Sequence, residues 1–292
     1  IGFEDGIIDF VGAARDVDPK RYARVVSAEG MHIYPGFIAP NSTLGLMEVA
    51  AVRASRDYQE VGTFKPNVRS LIAYNTASDI TPTVRTNGVL MGQITPRGGV
   101  IGGSSSIVQF DAWNWEDAAY EADEGIYVNW PRLHKWNWET RTREANKDYE
   151  KNVEELKNFL SQAKAYCRAP EEETQLREKA CCGLFDNSKS LYVRANRANQ
   201  MISAINMAQD LGIKKLVIVG GYDAHLITDL LKERKVSVMI SSVHGLPERP
   251  DDDIDHNFKL ASILAKADIL FCLENTERMT EMNTMNLPFH AG

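Results

Sequence analysis

The chain lacks the sequence features that mark membrane-spanning and nucleic-acid-binding proteins. No apolar stretch reaches the roughly 18 to 20 residues needed to span a bilayer, and the first residues have neither the basic start nor the apolar run of a secretory signal. No run of five or more Lys or Arg occurs, and the formal net charge is -7. Because nucleic acids and anionic membranes attract concentrated positive charge, these absences favour a small molecule as the partner.

Short motifs for metal, redox or nucleotide chemistry are also missing. The four cysteines form no Cys-x-x-Cys pair, and the adjacent Cys181 and Cys182 are predicted to be helix-packing thiols rather than disulfide or metal ligands. No two of the six histidines have a His-x-His or His-x-x-x-His spacing, which makes a zinc site built from histidines improbable. No dinucleotide or phosphate-loop glycine motif follows a strand. The cysteine usage leaves the cellular compartment open.

Apolar runs and helical spacers alternate along most of the chain. With 292 residues, of which 43% are hydrophobic, the chain can bury one large core. Eight runs are predicted as strands: 33–38, 89–94, 105–110, 125–130, 191–194, 216–219, 236–240 and 269–272. This alternation implies parallel strands with crossover helices. It predicts an α/β fold with a (β/α)8 TIM-type barrel over residues 33–292, and an open doubly wound sheet is the competing architecture.

Residues 1–32 are predicted to form a small, partial N-terminal β element. Short apolar runs flank the Glu4-Asp5-Gly6 turn, as expected of short strands. A first residue that is not Met and an abrupt C-terminal end predict a processed or truncated chain. If the N-terminal strands lack partners, their open edges favour association, so a homo-oligomer is one expectation.

The segment Pro35-Gly-Phe-Ile-Ala-Pro-Asn-Ser-Thr-Leu-Gly45 resembles the first-strand signature of the amidohydrolase superfamily. The family pattern is Pro-Gly-(Phe/Leu)-Ile-Asp-x-His-x-His-x-Gly, and its two histidines bind the catalytic metal; here Asn41 and Thr43 stand in their places. The resemblance, closest to the imidazolonepropionase-like branch, covers nearly the whole chain. It implies a barrel, with the N-terminal element forming part of a small β-sandwich.

The resemblance also implies that the other metal ligands are replaced. The segment 192–199 resembles the family's fifth strand, with Arg194 at the place of a metal-binding histidine, and 217–224 resembles the sixth, with Gly220 or Gly221 at the next. The family uses zinc or another divalent metal, whereas a guanidinium repels a dication and cannot bind it. We therefore expect no metal and no other cofactor here.

Barrel chemistry collects at the C-terminal ends of the strands, where this chain carries many polar side chains. His244 is predicted as general base. The resemblance puts Glu274 or Asn275 at the place of the family's proton-shuttling aspartate, and Glu274 is predicted as the shuttle. Arg194 would stabilise an oxyanion. The residues predicted to bind substrate are Asn41, Thr43, Arg97, Trp113, Asn129, Asn196, Arg197 and Tyr222. Two plainer roles remain open: Arg194 in a buried ion pair with Glu274 or Asp111, and His244 as a loop residue before Pro247.

Two functions follow. In the first, the chain hydrolyses C–N bonds other than peptide bonds in a small amide or cyclic amide, without the usual histidine-bound metal. In the second, it is a catalytically inactive relative that binds a small anionic ligand or has a structural role.

Overall fold

The computed structural model describes residues 1–169, 174–241, 243, 245–274, 286 and 288. The chain divides into two compact units, Ile1–Pro35 and Gly36–Gly292. In the described residues the strands are β1 (Gly2–Glu4), β2 (Ile7–Phe10), β3 (Phe37–Ser42), β4 (Val89–Ile94), β5 (Ile101–Gln109), β6 (Ala119–Asn129), β7 (His134–Asn137), β8 (Thr142–Ala145), β9 (Ser190–Ala195), β10 (Leu216–Gly220), β11 (Ser237–Ser241) and β12 (Phe271–Glu274). The α-helices are α1 (Ile80–Thr86), α2 (Trp115–Ala118), α3 (Tyr149–Arg168), α4 (Leu176–Ala180), α5 (Cys182–Asp186), α6 (Ala198–Leu211), α7 (Thr228–Glu233) and α8 (His256–Lys266).

The first unit contains a β-hairpin. Strands β1 and β2 pair antiparallel, and the two residues between them, Asp5 and Gly6, have φ values of 50° and 79°. A two-residue hairpin turn of this kind needs positive φ at both positions, and Asp-Gly is one of the sequences that tolerates it best. The local sequence therefore accounts for the hairpin.

The second unit is a mixed α/β fold built on an eight-stranded, barrel-like sheet. The strand order is β12-β11-β10-β9-β6-β5-β4-β3, and each of the eight predicted apolar runs overlaps one of these strands. The barrel is nearly closed: a side-chain hydrogen bond from Asn41 on β3 to Glu274 on β12 joins the two edge strands.

Regular strand–helix alternation does not extend through the whole sheet. Strand β5 runs antiparallel to both β4 and β6, whereas the other neighbours in the sheet are parallel. Only residues 95–100 separate β4 from β5, and a parallel crossover needs a dozen or more residues. The C-terminal end of β5 therefore lies at the opposite end of the sheet from the C-terminal ends of its neighbours.

Helices cover the outside of the sheet with apolar faces. On α3, Val153, Leu156 and Leu160 are buried, at the three- and four-residue spacing of one helix face. On α6, Met201 and Ile205 are buried in the same core. None of the helices in the described part of the chain is both long and apolar enough to cross a membrane.

A disulfide joins α3 to α5. Cys167 is bonded to Cys182, whereas Cys181 is a free, buried thiol. The prediction that both adjacent cysteines are packing thiols is therefore right for Cys181 and wrong for Cys182. Adjacent residues on a helix point about 100° apart, so only Cys182 faces the last turn of α3.

Candidate functional site

Polar side chains line the interior of the barrel because strand residues two apart share one face. Tyr127 and Asn129 have this spacing on β6, and Tyr192 and Arg194 have it on β9. The β6–β9 register pairs Tyr127 with Tyr192 and Asn129 with Arg194. Two polar layers result: an inner one of tyrosines and an outer one at the C-terminal ends of the parallel strands, which we call the barrel mouth.

The side-chain amide of Asn41 is the centre of the barrel mouth. Its Oδ1 accepts hydrogen bonds from Arg97 at 2.5 Å, Arg194 at 2.6 Å and the hydroxyl of Thr95 at 3.1 Å. Its Nδ2 donates to a carboxylate oxygen of Glu274. Asn41 is only 2% exposed and has φ 50°, a left-handed conformation in which Asn is among the favoured non-glycine residues. Both ends of this amide are thus held by charged groups.

Glu274 lies on the other side of that amide. Its carboxylate is buried and accepts hydrogen bonds from Asn41 and from the hydroxyl of Ser241. Because each carboxylate oxygen accepts a hydrogen bond, the buried group is satisfied without direct contact with a cationic side chain.

Arg194 is positioned by three contacts. Its guanidinium carbon lies 4.5 Å from the centroid of the Tyr127 ring, and it donates to Asn129 Oδ1 at 3.2 Å as well as to Asn41. Burial, reinforced by the positive charge of Arg97, lowers the pKa of Arg194 to about 9. The side chain is therefore still charged at neutral pH.

The structure shows no direct ion pair of Arg194 with Glu274 or Asp111 among the described residues. The amide of Asn41 stands between Arg194 and Glu274. Asp111 instead pairs with Arg85 at 2.9 Å, because the antiparallel β5 carries it to the other end of the sheet.

A second hydrogen-bonded group lies deeper in the barrel and reaches the mouth through Gln93. Gln93 Oε1 accepts from the Tyr127 hydroxyl at 2.7 Å and from the Asn41 backbone N–H at 3.1 Å. Its Nε2 donates to Glu124 at 2.7 Å. Glu124 also accepts from Ser105 at 2.5 Å and Tyr192 at 2.9 Å. Burial raises the pKa of Glu124 despite these three donors.

The side chains at the mouth do not fit a divalent metal. Asn41 Oδ1 already accepts three hydrogen bonds, two of them from guanidinium groups, and a dication beside it would face two like charges. An amide oxygen is also a weak ligand for zinc. In the described ranges, no three His, Cys, Asp or Glu side chains cluster closely enough to hold a metal ion.

Arg197 and Tyr222 belong to a separate polar group. Arg197 donates to Glu248 at 2.6 Å, and its guanidinium carbon lies 5.5 Å from the Tyr222 ring centroid. The Tyr222 hydroxyl donates to Asp252 at 2.6 Å. Asp223, nearly buried, accepts from Arg249 at 2.9 Å. These contacts hold the loop after β11 against the loop after β10.

Three more of the predicted site residues can be placed relative to the strands. Trp113 is 90% exposed and follows the antiparallel β5, so it lies at the end of the sheet opposite the mouth. Asn196 is exposed just after β9, and Thr43 is buried just after β3. His244 lies outside the described residues.

A cleft of about 830 Å³ lies between residues 61–68 and residues 174–178. The buried Lys65 lines it and donates to the backbone oxygen of Glu60 at 2.7 Å. Burial lowers the pKa of Lys65. None of the predicted site residues is among those that line this cleft.

The fold is similar to that of a solved structure. No protein-family model matches the chain, and no curated protein sequence matches it. The crystal structure of an amidohydrolase from Thermotoga maritima MSB8 is similar, with a TM-score of 0.73 at 18% sequence identity, and the match covers 89% of this chain and 72% of that one. The chain shares the fold of that amidohydrolase.

Within this fold, several residues that hold the barrel mouth and the deeper polar group together are absent from the sequence-based prediction. They are Gln93, Glu124, Tyr127 and Ser241. The two-residue alternation is the signal that finds Gln93 and Tyr127, because each lies inside a predicted strand and shares its face with a residue at or just beyond the strand end. Glu124 and Ser241 stand just outside the predicted strands 125–130 and 236–240, so this signal does not find them. Applied to β6 and β9, this rule places Tyr127 beneath Asn129 and Tyr192 beneath Arg194.

Proposed function

We propose that the chain is an amidohydrolase-type hydrolase that cleaves a non-peptide C–N bond in a small amide or cyclic amide, without a divalent metal. One observation supports this proposal. Arg97, Arg194 and Thr95 all donate to the side-chain amide oxygen of Asn41, and the carboxylate of Glu274 accepts from the nitrogen of the same amide. Amide hydrolysis needs donors at the oxygen, where negative charge develops, and a proton-transfer group near the nitrogen.

Each group has a role in that chemistry. Water adds to the carbonyl carbon, and the two guanidinium groups with Thr95 stabilise the resulting oxyanion. His244 takes the first proton of the attacking water as the water adds, and Glu274 takes the second from the resulting intermediate. The C–N bond then breaks as Glu274 delivers its proton to the nitrogen, and the proton held by His244 passes to the released amine, so that a carboxylate and an ammonium product leave. His244 is proposed as the base that activates this water; it stands three positions after the end of β11 in the sequence.

A second candidate is a binding protein for a small anion. The balance of charge at the mouth favours it, because two guanidinium groups, of Arg97 and Arg194, are accompanied by only one carboxylate, that of Glu274. Guanidinium groups bind carboxylate and phosphate through paired hydrogen bonds.

Turnover separates the two candidates. The wild-type protein, dialysed against a chelator, is incubated with primary amides, hydantoins, imidazolones and N-acyl amino acids, and ammonia release or ring opening is followed. We expect turnover of at least one class, and kcat/KM lower by about 100- to 1,000-fold in Arg194→Met, the typical cost of removing an oxyanion donor. Arg85→Met is the matched control, since it removes a guanidinium at the other end of the sheet.

The other outcomes count against the proposal in distinct ways. Turnover that appears only after zinc is added contradicts its metal-free part. No turnover of any class, together with saturable binding of acetate or phosphate that Arg194→Met abolishes, establishes the binding protein instead.

A further inference from the structure

The amide held at the barrel mouth belongs to the protein itself. Asn41 carries a primary carboxamide, whose oxygen lies 2.5 and 2.6 Å from the nitrogens of Arg97 and Arg194. Its nitrogen donates to Glu274, which is also bound by Ser241. The side chain is almost completely buried. The mouth therefore already binds the chemical group on which the proposed reaction acts.

We propose that Asn41 occupies the substrate's place, and that the ligand of this site is a small primary carboxamide, R–CO–NH2, or the carboxylate formed from it. The inference rests on the proposed function and names its substrate class. The ligand's oxygen replaces Asn41 Oδ1 between the two guanidinium groups, and its NH2 group replaces Asn41 Nδ2 at Glu274. For entry, the Asn41 side chain must leave these four partners.

Primary carboxamides fit this arrangement better than substituted amides do. The carboxylate of Glu274 accepts an N–H of Asn41 at close range, and a nitrogen bearing a carbon substituent on that side would meet the carboxylate instead of donating to it. Hydrolysis of a primary amide consumes one water and gives a carboxylate and an ammonium ion. The carboxylate product suits two guanidinium groups as well as the amide oxygen does.

The backbone at Asn41 allows the side chain to be removed cleanly. With φ 50°, the position lies in the left-handed region, where glycine is at least as favourable as asparagine. Asn41→Gly therefore empties the amide site with little backbone strain. Asn41→Asp keeps the size and shape of the side chain and leaves an oxygen between the arginines, so it keeps the site filled.

The test is the binding of acetamide and acetate by calorimetry to wild-type protein, Asn41→Gly and Asn41→Asp. We expect Asn41→Gly to bind both ligands with an affinity at least about tenfold higher than the wild type, because no internal group has to be displaced. The affinity for N-methylacetamide should rise much less in Asn41→Gly than the affinity for acetamide does. Asn41→Asp should bind no more tightly than the wild type. Asn75→Ala is the matched control, since it removes another Asn–Glu hydrogen bond, to Glu48 at 3.0 Å.

The failure of this inference is distinguishable from the failure of the proposed function. Equal affinities of Asn41→Gly and the wild type for acetamide and acetate, with circular dichroism showing both folded, overturn it even where the wild type turns over another amide. If Asn41→Gly instead loses its fold, soaking acetate into crystals of Asn41→Ser decides: acetate between Arg97 and Arg194 supports the inference, and an unchanged network around that site overturns it. Tight binding to Asn41→Gly without turnover of any amide by the wild type supports the ligand class and refutes only the hydrolase.

Discussion

The guanidinium of Arg194 lies over the ring of Tyr127, with its central carbon 4.5 Å from the ring centroid. The hydroxyl of the same tyrosine donates to Gln93 Oε1, which also accepts the backbone N–H of Asn41. Tyr127 therefore supports the mouth in two ways: the ring face attracts the cation, and the hydroxyl helps to fix the glutamine that holds the Asn41 backbone.

Replacing Tyr127 tests these two contributions separately. Tyr127→Phe keeps the ring under Arg194 and removes one buried hydrogen bond, so the unfolding free energy should fall by about 0.5 to 1.5 kcal/mol. Tyr127→Leu also removes the ring that stacks on Tyr192, and should cost more than Tyr127→Phe by at least about 0.5 to 1 kcal/mol. Urea unfolding measures both. Equal destabilisation by the two variants would show that the ring contributes nothing beyond its hydroxyl.

Glu124 should make the stability depend on pH in a defined direction. Burial raises its pKa above the ordinary value of 4.5, so the folded protein retains this proton to higher pH than the unfolded chain does. The associated stability is fully present below pH 4.5 and is lost as the pH rises through the folded-state pKa. The unfolding free energy of the wild type minus that of Glu124→Gln should therefore decrease between pH 4.5 and 7, by at most about 1.4 kcal/mol per pH unit.

The opposite slope has a clear meaning. A difference that grows with pH would show that the donors from Ser105, Gln93 and Tyr192 outweigh burial, and that the carboxylate is held in its ionised form.

The disulfide between Cys167 and Cys182 should stabilise the helical layer. It joins positions 15 residues apart, and closing a loop of this length typically contributes about 2 to 4 kcal/mol. We expect Cys182→Ser to lower the unfolding free energy by that amount, with no further loss on adding a reductant. Cys272→Ser, at a free thiol, is the control and should stay sensitive to reductant. A Cys182→Ser protein as stable as the oxidised wild type would mean that the bond does not form in solution.

The charge of Arg194 should set the alkaline limit of activity. Because its pKa is lowered to about 9, the oxyanion donor loses its charge above that pH. We expect kcat/KM for the amide substrate to fall about tenfold per pH unit above pH 9, while circular dichroism shows the fold intact. The residual kcat/KM of Arg194→Met should not show this fall above pH 9. A wild-type profile that stays flat to pH 10.5 would rule out a titrating guanidinium at the mouth.

The strands could be predicted from sequence because their apolar runs are local. The segment 89–94 is found unchanged as β4, and every other run overlaps its strand. The runs 33–38 and 269–272 are shifted, since each shares only two residues with β3 or β12. Strand direction is a different matter, since it depends on how far the chain travels between strands. The short connection before β5 is the sequence signal for its antiparallel direction. A prediction that treats β5 as parallel places Trp113 at the mouth, whereas the structure places it at the opposite end of the sheet.

The site could be predicted in part for the same reason. Asn41, Arg97, Asn129, Arg194 and Glu274 stand at or next to strand ends and do meet at the mouth. That an amide would separate Arg194 from Glu274 was not predictable, because it depends on side-chain contacts across 153 to 233 positions of sequence. No local pattern encodes contacts of that range.

The most direct measurement is a crystal structure of the wild-type protein grown with excess zinc, with data collected at the zinc absorption edge. We expect Asn41 Oδ1 within hydrogen-bonding distance of both Arg97 and Arg194, and no anomalous peak at the barrel mouth. A zinc ion bound at Asn41, or an Arg194 side chain turned away from it, would contradict the conclusion that fixed side-chain charge organises this site.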